Sequence, residues 1–369
     1  MYSHHLNNDD GGFRPMPPGI SRSDSGGTTQ MAEIRKANGH RLEGIGGALE
    51  PEIEPARRPL RSDVEFDLEQ VLGAVYAIET NVPEDAFTAN ALGTRRFGNA
   101  VLISEDGLLL TIGYLVTEAD QITLTDNSGK SIPGHVVGYD HDTGFGLVQA
   151  HETVKDAPVR RGAAADIDES ETVVVAAHGG ASNAQLTSVV SKRSFAGYWE
   201  YLLDVAIFTS PPHPSWSGAA LLGRDGALCG VGSLYVQDAL SVAGHVPGNM
   251  FVPLEILEPI LTDLVTTGRS SRPPKPWLGM YTSEVEGALV VAGLADEAPA
   301  SSAGIKVGDL IVAVAQEPVA SLVQLQRRIR SVGDAGAIVN LQIYRDGSLL
   351  EVDVRSASRY DYLKAPTSH

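Results

Sequence analysis

The sequence predicts a mainly β protein, built as a double β-barrel followed by a small α+β domain. Short apolar runs separated by polar turns recur from residue 75 to residue 252, with no long helix between them. Strands this short and this closely spaced are typical of β-barrels. The proline-rich residues 272–276 form a stiff linker, and strand-like and helix-like patterns alternate behind it.

The predicted barrel strands are short, and Asp-Gly at residues 106–107 marks a hairpin between two of them. A helix over residues 64–72 precedes the barrels, and one over 254–267 follows them. The predicted strands cover residues 75–80, 99–103, 108–111, 122–125, 131–137, 145–150, 173–177, 185–190, 202–208, 220–222, 228–234 and 250–252.

The unit behind the linker carries its own core. Apolar residues at helical spacing predict a helix over residues 321–332, and Ser301–Gly304 suits a short helix that ends at glycine. The predicted strands of this unit cover residues 289–291, 310–314, 338–344 and 349–354, the last two joined across Asp346-Gly347.

Composition excludes several functional classes. The 369 residues carry a net charge of −18, which opposes binding to nucleic acid or to anionic lipid. No run of about 18 apolar residues occurs, so no membrane span is expected. Cys229 is the only cysteine, which excludes an intrachain disulfide. No group of side chains has metal-ligand spacing, and we predict neither a metal nor a cofactor.

The sequence predicts four segments. Residues 1–62 are polar and interrupted by proline and glycine, as in a disordered tail, and they lack the apolar core of a secretory signal. The barrels cover residues 63–270, the second domain covers 277–357, and 358–369 form a tail. We therefore expect a cytoplasmic protein; a periplasmic location stays open if the true start of the chain differs.

The barrels are organised around the stretch from Ser215 to Leu222, which has the shape of a nucleophile turn. A serine, Ser217, precedes Gly218 in a tight bend between two strands. Such a bend projects a hydroxyl and points backbone N–H groups at a developing oxyanion. The alternative is an ordinary Ser-Gly turn between strands.

The order of motifs resembles the HtrA (Deg) family, in which a trypsin-like protease domain precedes a C-terminal PDZ domain. The run from Ala303 to Ile311 (AGIKVGDLI) is similar to the PDZ signature of that family, and Tyr344–Gly347 closes the domain as expected. Trp277, Leu278, Gly279 and Met280 stand where the family has its carboxylate-binding loop. The resemblance covers residues 64 to 357 and implies a trypsin-like fold for the barrels.

The same resemblance shows that the catalytic triad is incomplete. Tyr114 stands at the position of the catalytic histidine, Gly144 at that of the aspartate, and Ser217 alone is retained. Trp216 and Ser215 also depart from the family pattern beside the nucleophile. A serine hydroxyl is a poor nucleophile without a base, and a tyrosine, with an ordinary pKa of about 10, is not one at neutral pH.

Three functions remain open. The first is a pseudoprotease that binds peptides or protein C-termini, with residues 277–280 on the carboxylate and Leu325 and Ile329 lining the side-chain pocket or packing in the core. The second is an active serine endopeptidase in which His213 or His141 replaces the base. The third is a scaffold in which the barrels only present the PDZ domain. The resemblance further implies a homotrimer formed through the protease domains.

Overall fold

A computed structural model describes residues 53–240 and 245–364 of the chain. The predicted disordered tail, residues 1–62, lies mostly outside the described residues, as does the end of the predicted tail 358–369. The described residues form two closed barrels and one further sheet, which confirms the mainly β fold class.

The first barrel closes in the strand order β1-β2-β3-β6-β5-β4. Buried apolar residues alternate with more exposed ones in β4, whereas every residue of β3 is buried. The strands are β1 (Val75–Asn81), β2 (Arg95–Leu102), β3 (Leu108–Ile112), β4 (Gln121–Thr125), β5 (Ser131–Tyr139) and β6 (Phe145–Ala150).

The second barrel closes in the order β10-β11-β12-β9-β8-β7. Its longest pair, β8 with β9, continues beyond the barrel wall as a hairpin whose last paired residues are Gly197 and Tyr201. The strands are β7 (Thr172–Ala176), β8 (Ala184–Gly197), β9 (Tyr201–Ser210), β10 (Ala220–Leu222), β11 (Leu228–Val236) and β12 (Gly248–Pro253).

The domain behind the linker is a sheet in the order β13-β14-β15-β17-β18, with β16 paired to β15. Strand β13 therefore has a free edge within its own sheet. The strands are β13 (Met280–Val285), β14 (Ala288–Leu294), β15 (Leu310–Val314), β16 (Glu317–Pro318), β17 (Ile338–Arg345) and β18 (Ser348–Arg355).

Helices are few and mostly short. Helix α1 begins with a side-chain cap from Asp67, and α6 begins with one from Ser321, which satisfies N–H groups that a helix start leaves without partners. The helices are α1 (Leu68–Gly73), α2 (Ala89–Leu92), α3 (Gly113–Val116), α4 (Glu258–Thr267), α5 (Pro299–Ser302) and α6 (Leu322–Ser331).

The structure departs from the predicted elements in several places: helices α2 and α3 were not predicted, β2 begins at Arg95 instead of residue 99, and three further differences have a clear cause. Strand β8 runs to Gly197, past its predicted end at residue 190, because β9 pairs with it beyond the barrel wall. Strand β13 was not predicted, since its polar residues hide the alternation. Helix α4 starts only at Glu258, because a 3-10 turn, Leu254–Ile256, precedes it.

The chain segments on either side of the second domain contact the first barrel. Just before the linker, the Tyr139 N–H of β5 donates to the Gly268 carbonyl oxygen, with N and O 3.3 Å apart. After β18 the chain returns, and the Lys364 N–H donates to Glu118 Oε1 at 2.9 Å. The Lys364 ammonium also pairs with Asp85. The domain is thus held between two contacts with one barrel.

Candidate functional site: the nucleophile turn and the carboxylate loop

The nucleophile turn lies where the two barrels meet. Ser217 follows β9 and is 6% exposed. Its carbonyl oxygen accepts from the Asn99 N–H at 2.8 Å and from Asn99 Nδ2 at 2.9 Å. Asn99 belongs to β2 of the first barrel, so a residue of one barrel fixes the turn of the other. This is a rigid placement for a hydroxyl.

Tyr114 of α3 contacts the Ser217 hydroxyl directly. Its Oη lies 2.7 Å from Ser217 Oγ and 3.0 Å from the Ser233 carbonyl oxygen. A neutral tyrosine has one proton: it either donates to Ser217 or donates to Ser233 and accepts from Ser217. Burial raises the pKa of Tyr114 above its ordinary value, so the phenol keeps its proton and cannot act as a base.

At Gly144, where the family resemblance predicts the position of the aspartate, the space for a side chain is occupied by Tyr201. Gly144 has a φ of +81°, and a Cβ built on it would lie 2.7 Å from Tyr201 Oη. The Tyr201 hydroxyl donates to the Thr143 carbonyl oxygen at 2.7 Å, which fixes the ring there. An acidic side chain at residue 144 would meet both a strained backbone and an occupied space.

The predicted substitute base His213 takes part in the turn in a different way. Its Nδ1 accepts from the Ser215 N–H at 3.0 Å, and its Nε2 lies 3.2 Å from the Asn183 carbonyl oxygen. Burial lowers the pKa of His213 to about 4. Both ring nitrogens are therefore occupied away from Ser217, and a backbone N–H beside the nucleophile already has a partner.

The second predicted substitute, His141, lies elsewhere. Its ring packs against Tyr139 and Tyr360, with ring centroids 5.0 and 4.9 Å away. Its Nε2 is buried without a hydrogen-bond partner, and burial lowers its pKa well below the usual range. Within the described residues, the side chain that hydrogen-bonds Ser217 Oγ is Tyr114.

The predicted carboxylate loop lies at the start of β13. The side chains of Trp277, Leu278 and Met280 are 5%, 0% and 1% exposed. Gly279 has a φ of +71°, and a Cβ on it would lie 2.2 Å from the Ala298 side chain. Only glycine fits this bend, which turns successive N–H groups toward one point.

Leu325 and Ile329 of α6 are both fully buried in the core of the second domain. They pack in the same cluster as Leu278 and Met280, and Ala196 of β8 packs against that cluster. The structure therefore places the two residues in the core, next to the hairpin of the second barrel.

The sequence analysis missed Glu200, the residue whose carboxyl group meets the loop. Its Oε2 accepts from the Leu278 N–H at 2.9 Å, and its Oε1 accepts from the Met280 N–H at 2.7 Å. The Gly279 N–H adds a weaker interaction. Burial raises the pKa of Glu200 to about 7. The N–H groups of the predicted carboxylate loop thus hold a carboxyl group of the chain itself.

Among residues 53–240 and 245–364, no group of three or more His, Cys, Asp or Glu side chains could hold a metal ion. In the same part of the chain, every helix is too short or too polar to span a bilayer.

Two family models match the chain. Residues 98–231 match the trypsin-like peptidase domain, and residues 276–355 match the PDZ domain. The first range contains the nucleophile turn, and the second contains the carboxylate loop.

The curated relatives are named probable periplasmic serine endoproteases, DegP-like. That of Pseudomonas fluorescens is 26% identical over 273 residues, 70% of this chain and 55% of the relative. That of Rhizobium meliloti is 25% identical over 294 residues, 74% of this chain and 56% of the relative. The chain spans about half the length of these relatives. Their names contradict the predicted cytoplasmic location, which is wrong.

Two solved structures are similar to parts of this chain. The HtrA-type protease AlgW with decapeptide has a TM-score of 0.48 and 17% identity, covering 79% of this chain and 98% of that one. The serine endoprotease from Yersinia pestis has a TM-score of 0.47 and 19% identity, with coverages of 79% and 98%.

Proposed function

We propose that this chain, an HtrA-type protein with a trypsin-like peptidase domain followed by a PDZ domain, is a pseudoprotease that binds peptides or protein C-termini without cleaving them. The observation that carries the proposal is the pairing of Ser217 Oγ with Tyr114 Oη at 2.7 Å. A buried phenol with a raised pKa stands where the reaction needs a proton acceptor.

Two further features support the loss of catalysis. Tyr201 fills the space of the catalytic acid beside Gly144. The Ser215 N–H, in the turn that would form the oxyanion hole, donates to His213. Loss of the base alone costs on the order of 10⁶ in turnover. The base and the acid are thus replaced, and the Ser217 hydroxyl and the Ser215 N–H are already paired.

Binding is the activity that the remaining groups support. The loop at residues 278–280 directs N–H groups at a carboxyl group, and β13 is an edge strand of its own sheet. A PDZ domain binds a chain end as an added strand along such an edge. The proposed ligands are therefore chains with a free terminal carboxylate.

The test of the proposal is a digestion of unfolded casein with the full-length chain. We expect no cleavage beyond that of the matched Ser217→Ala chain, since no base takes the hydroxyl proton. Cleavage by the wild type that disappears in Ser217→Ala would sink the proposal.

The second candidate is an active serine endopeptidase, which the names of the relatives favour. A fluorophosphonate probe separates the two, because it labels only a serine with an activated hydroxyl. Labelling at Ser217 would support the endopeptidase; we expect none.

The place and assembly of the protein are part of the proposal. The relatives' names support a periplasmic location. The homotrimer implied by the family resemblance stays a prediction, which size-exclusion chromatography with light scattering would check.

A further inference from the structure

The groove of the PDZ domain is filled by a hairpin of the second barrel, residues 194–204, which we name the capping hairpin. We propose that the capping hairpin is an intramolecular ligand of this groove, and that an external chain end binds only by displacing it. The inference rests on the proposed function, because it takes the groove to be the site for chain ends.

The carboxyl group of Glu200 occupies the N–H donors of the loop. A peptide end and a glutamate side chain present the same two oxygens to a loop of N–H donors. The oxygens of Glu200 accept from the Leu278 and Met280 N–H groups at 2.9 and 2.7 Å. These are the donors that a terminal carboxylate would need, so the two carboxyl groups cannot bind together.

The capping hairpin also makes a main-chain hydrogen bond to the edge strand β13. The Thr282 N–H donates to the Tyr198 carbonyl oxygen at 3.0 Å. A chain end that joins the sheet as an extra strand uses the same backbone groups of β13. The capping hairpin therefore occupies the edge as well as the loop.

The capping hairpin also contacts helix α6, which forms the opposite wall of the groove. Arg327 Nη2 donates to Ser194 Oγ at 2.9 Å and to Asp204 Oδ1 at 3.0 Å. Arg330 Nη1 donates to the Leu202 carbonyl oxygen at 3.4 Å. The hairpin thus contacts both β13 and α6, and it fills the space between them.

The loop of the capping hairpin holds Glu200 in a left-handed backbone conformation. Gly197 pairs with Tyr201, which leaves a loop of Tyr198, Trp199 and Glu200. Glu200 has a φ of +63°. Glycine or asparagine is favoured at such a left-handed position in a short hairpin loop. A glutamate there is explained by the contact that its side chain makes.

The consequence is a reduced apparent affinity for external chain ends. A ligand that binds only the open form is weakened by the fraction of molecules that are open. Removing the Glu200 carboxyl group raises that fraction and leaves the loop unchanged. We therefore expect tighter binding of peptides that end in a free carboxylate, and of those alone.

The experiment measures fluorescence anisotropy of a set of fluorescein-labelled decapeptides, each with a free C-terminus or an amidated one. The full-length chain is compared with Glu200→Ala and with the control Glu105→Ala, which alters an exposed turn of the first barrel. For free-acid peptides we expect Glu200→Ala to bind about tenfold more tightly or better. The control should match the wild type, and amidated peptides should not gain.

Hydrogen exchange supplies a readout that needs no peptide. The Leu278 and Met280 amides should exchange faster in Glu200→Ala than in the wild type, because their acceptor is gone. Glu200→Gln keeps the size of the side chain and one carbonyl oxygen, so it should fall between the two. It also serves as the test chain if Glu200→Ala does not fold.

The outcomes separate the two proposals. Equal affinities for free-acid peptides in the wild type and Glu200→Ala, with unchanged exchange, would overturn the capping hairpin and leave the proposed function standing. Faster exchange in Glu200→Ala without binding of any peptide would support the internal contact and overturn the proposed function.

Discussion

The nucleophile turn and the carboxylate loop are two sites of one kind, since each directs backbone N–H groups at an oxygen atom. In both, the chain supplies its own partner: His213 accepts from Ser215, and Glu200 accepts from Leu278 and Met280. The turn keeps Ser217 but has Tyr114 and Gly144 where the family resemblance assigns the base and the acid, whereas the N–H donors of the loop at Leu278 and Met280 are present.

On the two proposals above, the turn is inactive because its side chains are substituted, and the loop is closed because Glu200 occupies it. Restoring the turn requires new side chains at Tyr114 and Gly144 and the removal of Tyr201 from the space between. Opening the loop requires the departure of one carboxyl group. We expect the turn to resist repair and the loop to open readily.

The prediction with the largest possible effect concerns repair of the triad by Tyr114→His with Gly144→Asp. A working triad is worth on the order of 10⁶ in turnover. We expect casein hydrolysis to stay within about tenfold of the background. Tyr201 occupies the space that an aspartate side chain at residue 144 needs, and the Ser215 N–H, already bonded to His213, is not available to the oxyanion of the tetrahedral intermediate. The same double variant with Ser217→Ala is the control, and a Ser217-dependent rate well above it would contradict the comparison.

The next effect is on stability. Gly144→Asp should lower the free energy of unfolding by about 2–4 kcal/mol, because it adds overpacking against Tyr201 to a strained backbone. Gly129→Asp is the matched control: its φ is +85°, and nothing lies within 4 Å of its added Cβ. We expect about 1 kcal/mol there from strain alone. Urea unfolding measures both, and equal losses would show that Tyr201 does not fill the site.

The pH dependence of peptide binding tests the occupied loop. Burial raises the pKa of Glu200 from 4.5 to about 7, against the loop N–H groups and the nearby Arg359 guanidinium, which lower it. The docked carboxyl group holds its proton more tightly than the free one. Docking is therefore strongest below pH 4.5 and weakens as the pH rises toward 7.

We accordingly expect the affinity of the wild type for a free-acid decapeptide, relative to the affinity of Glu200→Gln, to rise about tenfold between pH 5 and pH 8. The terminal carboxyl group of the peptide enters the same loop and titrates alike in both chains, so the ratio of the two affinities reports on Glu200. A ratio that stays constant under the same anisotropy measurement would separate the docking of the hairpin from the charge of its carboxyl group.

The smallest effect belongs to the rim of the groove. Arg327 and Asp204 form an ion pair 51% and 81% exposed, and exposed pairs contribute less than about 1 kcal/mol. Asp204→Asn should therefore raise the peptide affinity by less than about threefold, as measured by anisotropy at low salt. An effect as large as that of Glu200→Ala would place the energy of capping at the rim instead of the loop.

Much of the architecture could be predicted from local patterns. Short apolar runs and Asp-Gly turns predicted the barrels, and the resemblance to the HtrA family assigned Tyr114, Gly144 and Ser217 to the triad positions. The structure then showed Tyr114 against Ser217, at the predicted position of the base. Patterns of two to four residues are enough for such assignments because they report on neighbours in sequence.

The occupants of the two sites could not be predicted in this way. Glu200 is 78 residues from Leu278 and 80 from Met280, and no local period encodes their contact. Its left-handed backbone becomes informative only once the hairpin is known. His213 was assigned as a substitute base on its distance in sequence from Ser217, whereas the fold directs its ring at the Ser215 N–H.

The segments that flank the second domain contact the first barrel at Gly268 and at Lys364. This attachment affects how external chain ends compete with Glu200 for the groove. The capping hairpin comes from the second barrel, so the groove can open while the domain stays anchored. A released Glu200 then remains at an effective concentration that short tethers set near the millimolar range. A dilute chain end competes poorly with such a neighbour, and the groove would respond to an accumulation of chain ends and ignore a rare one.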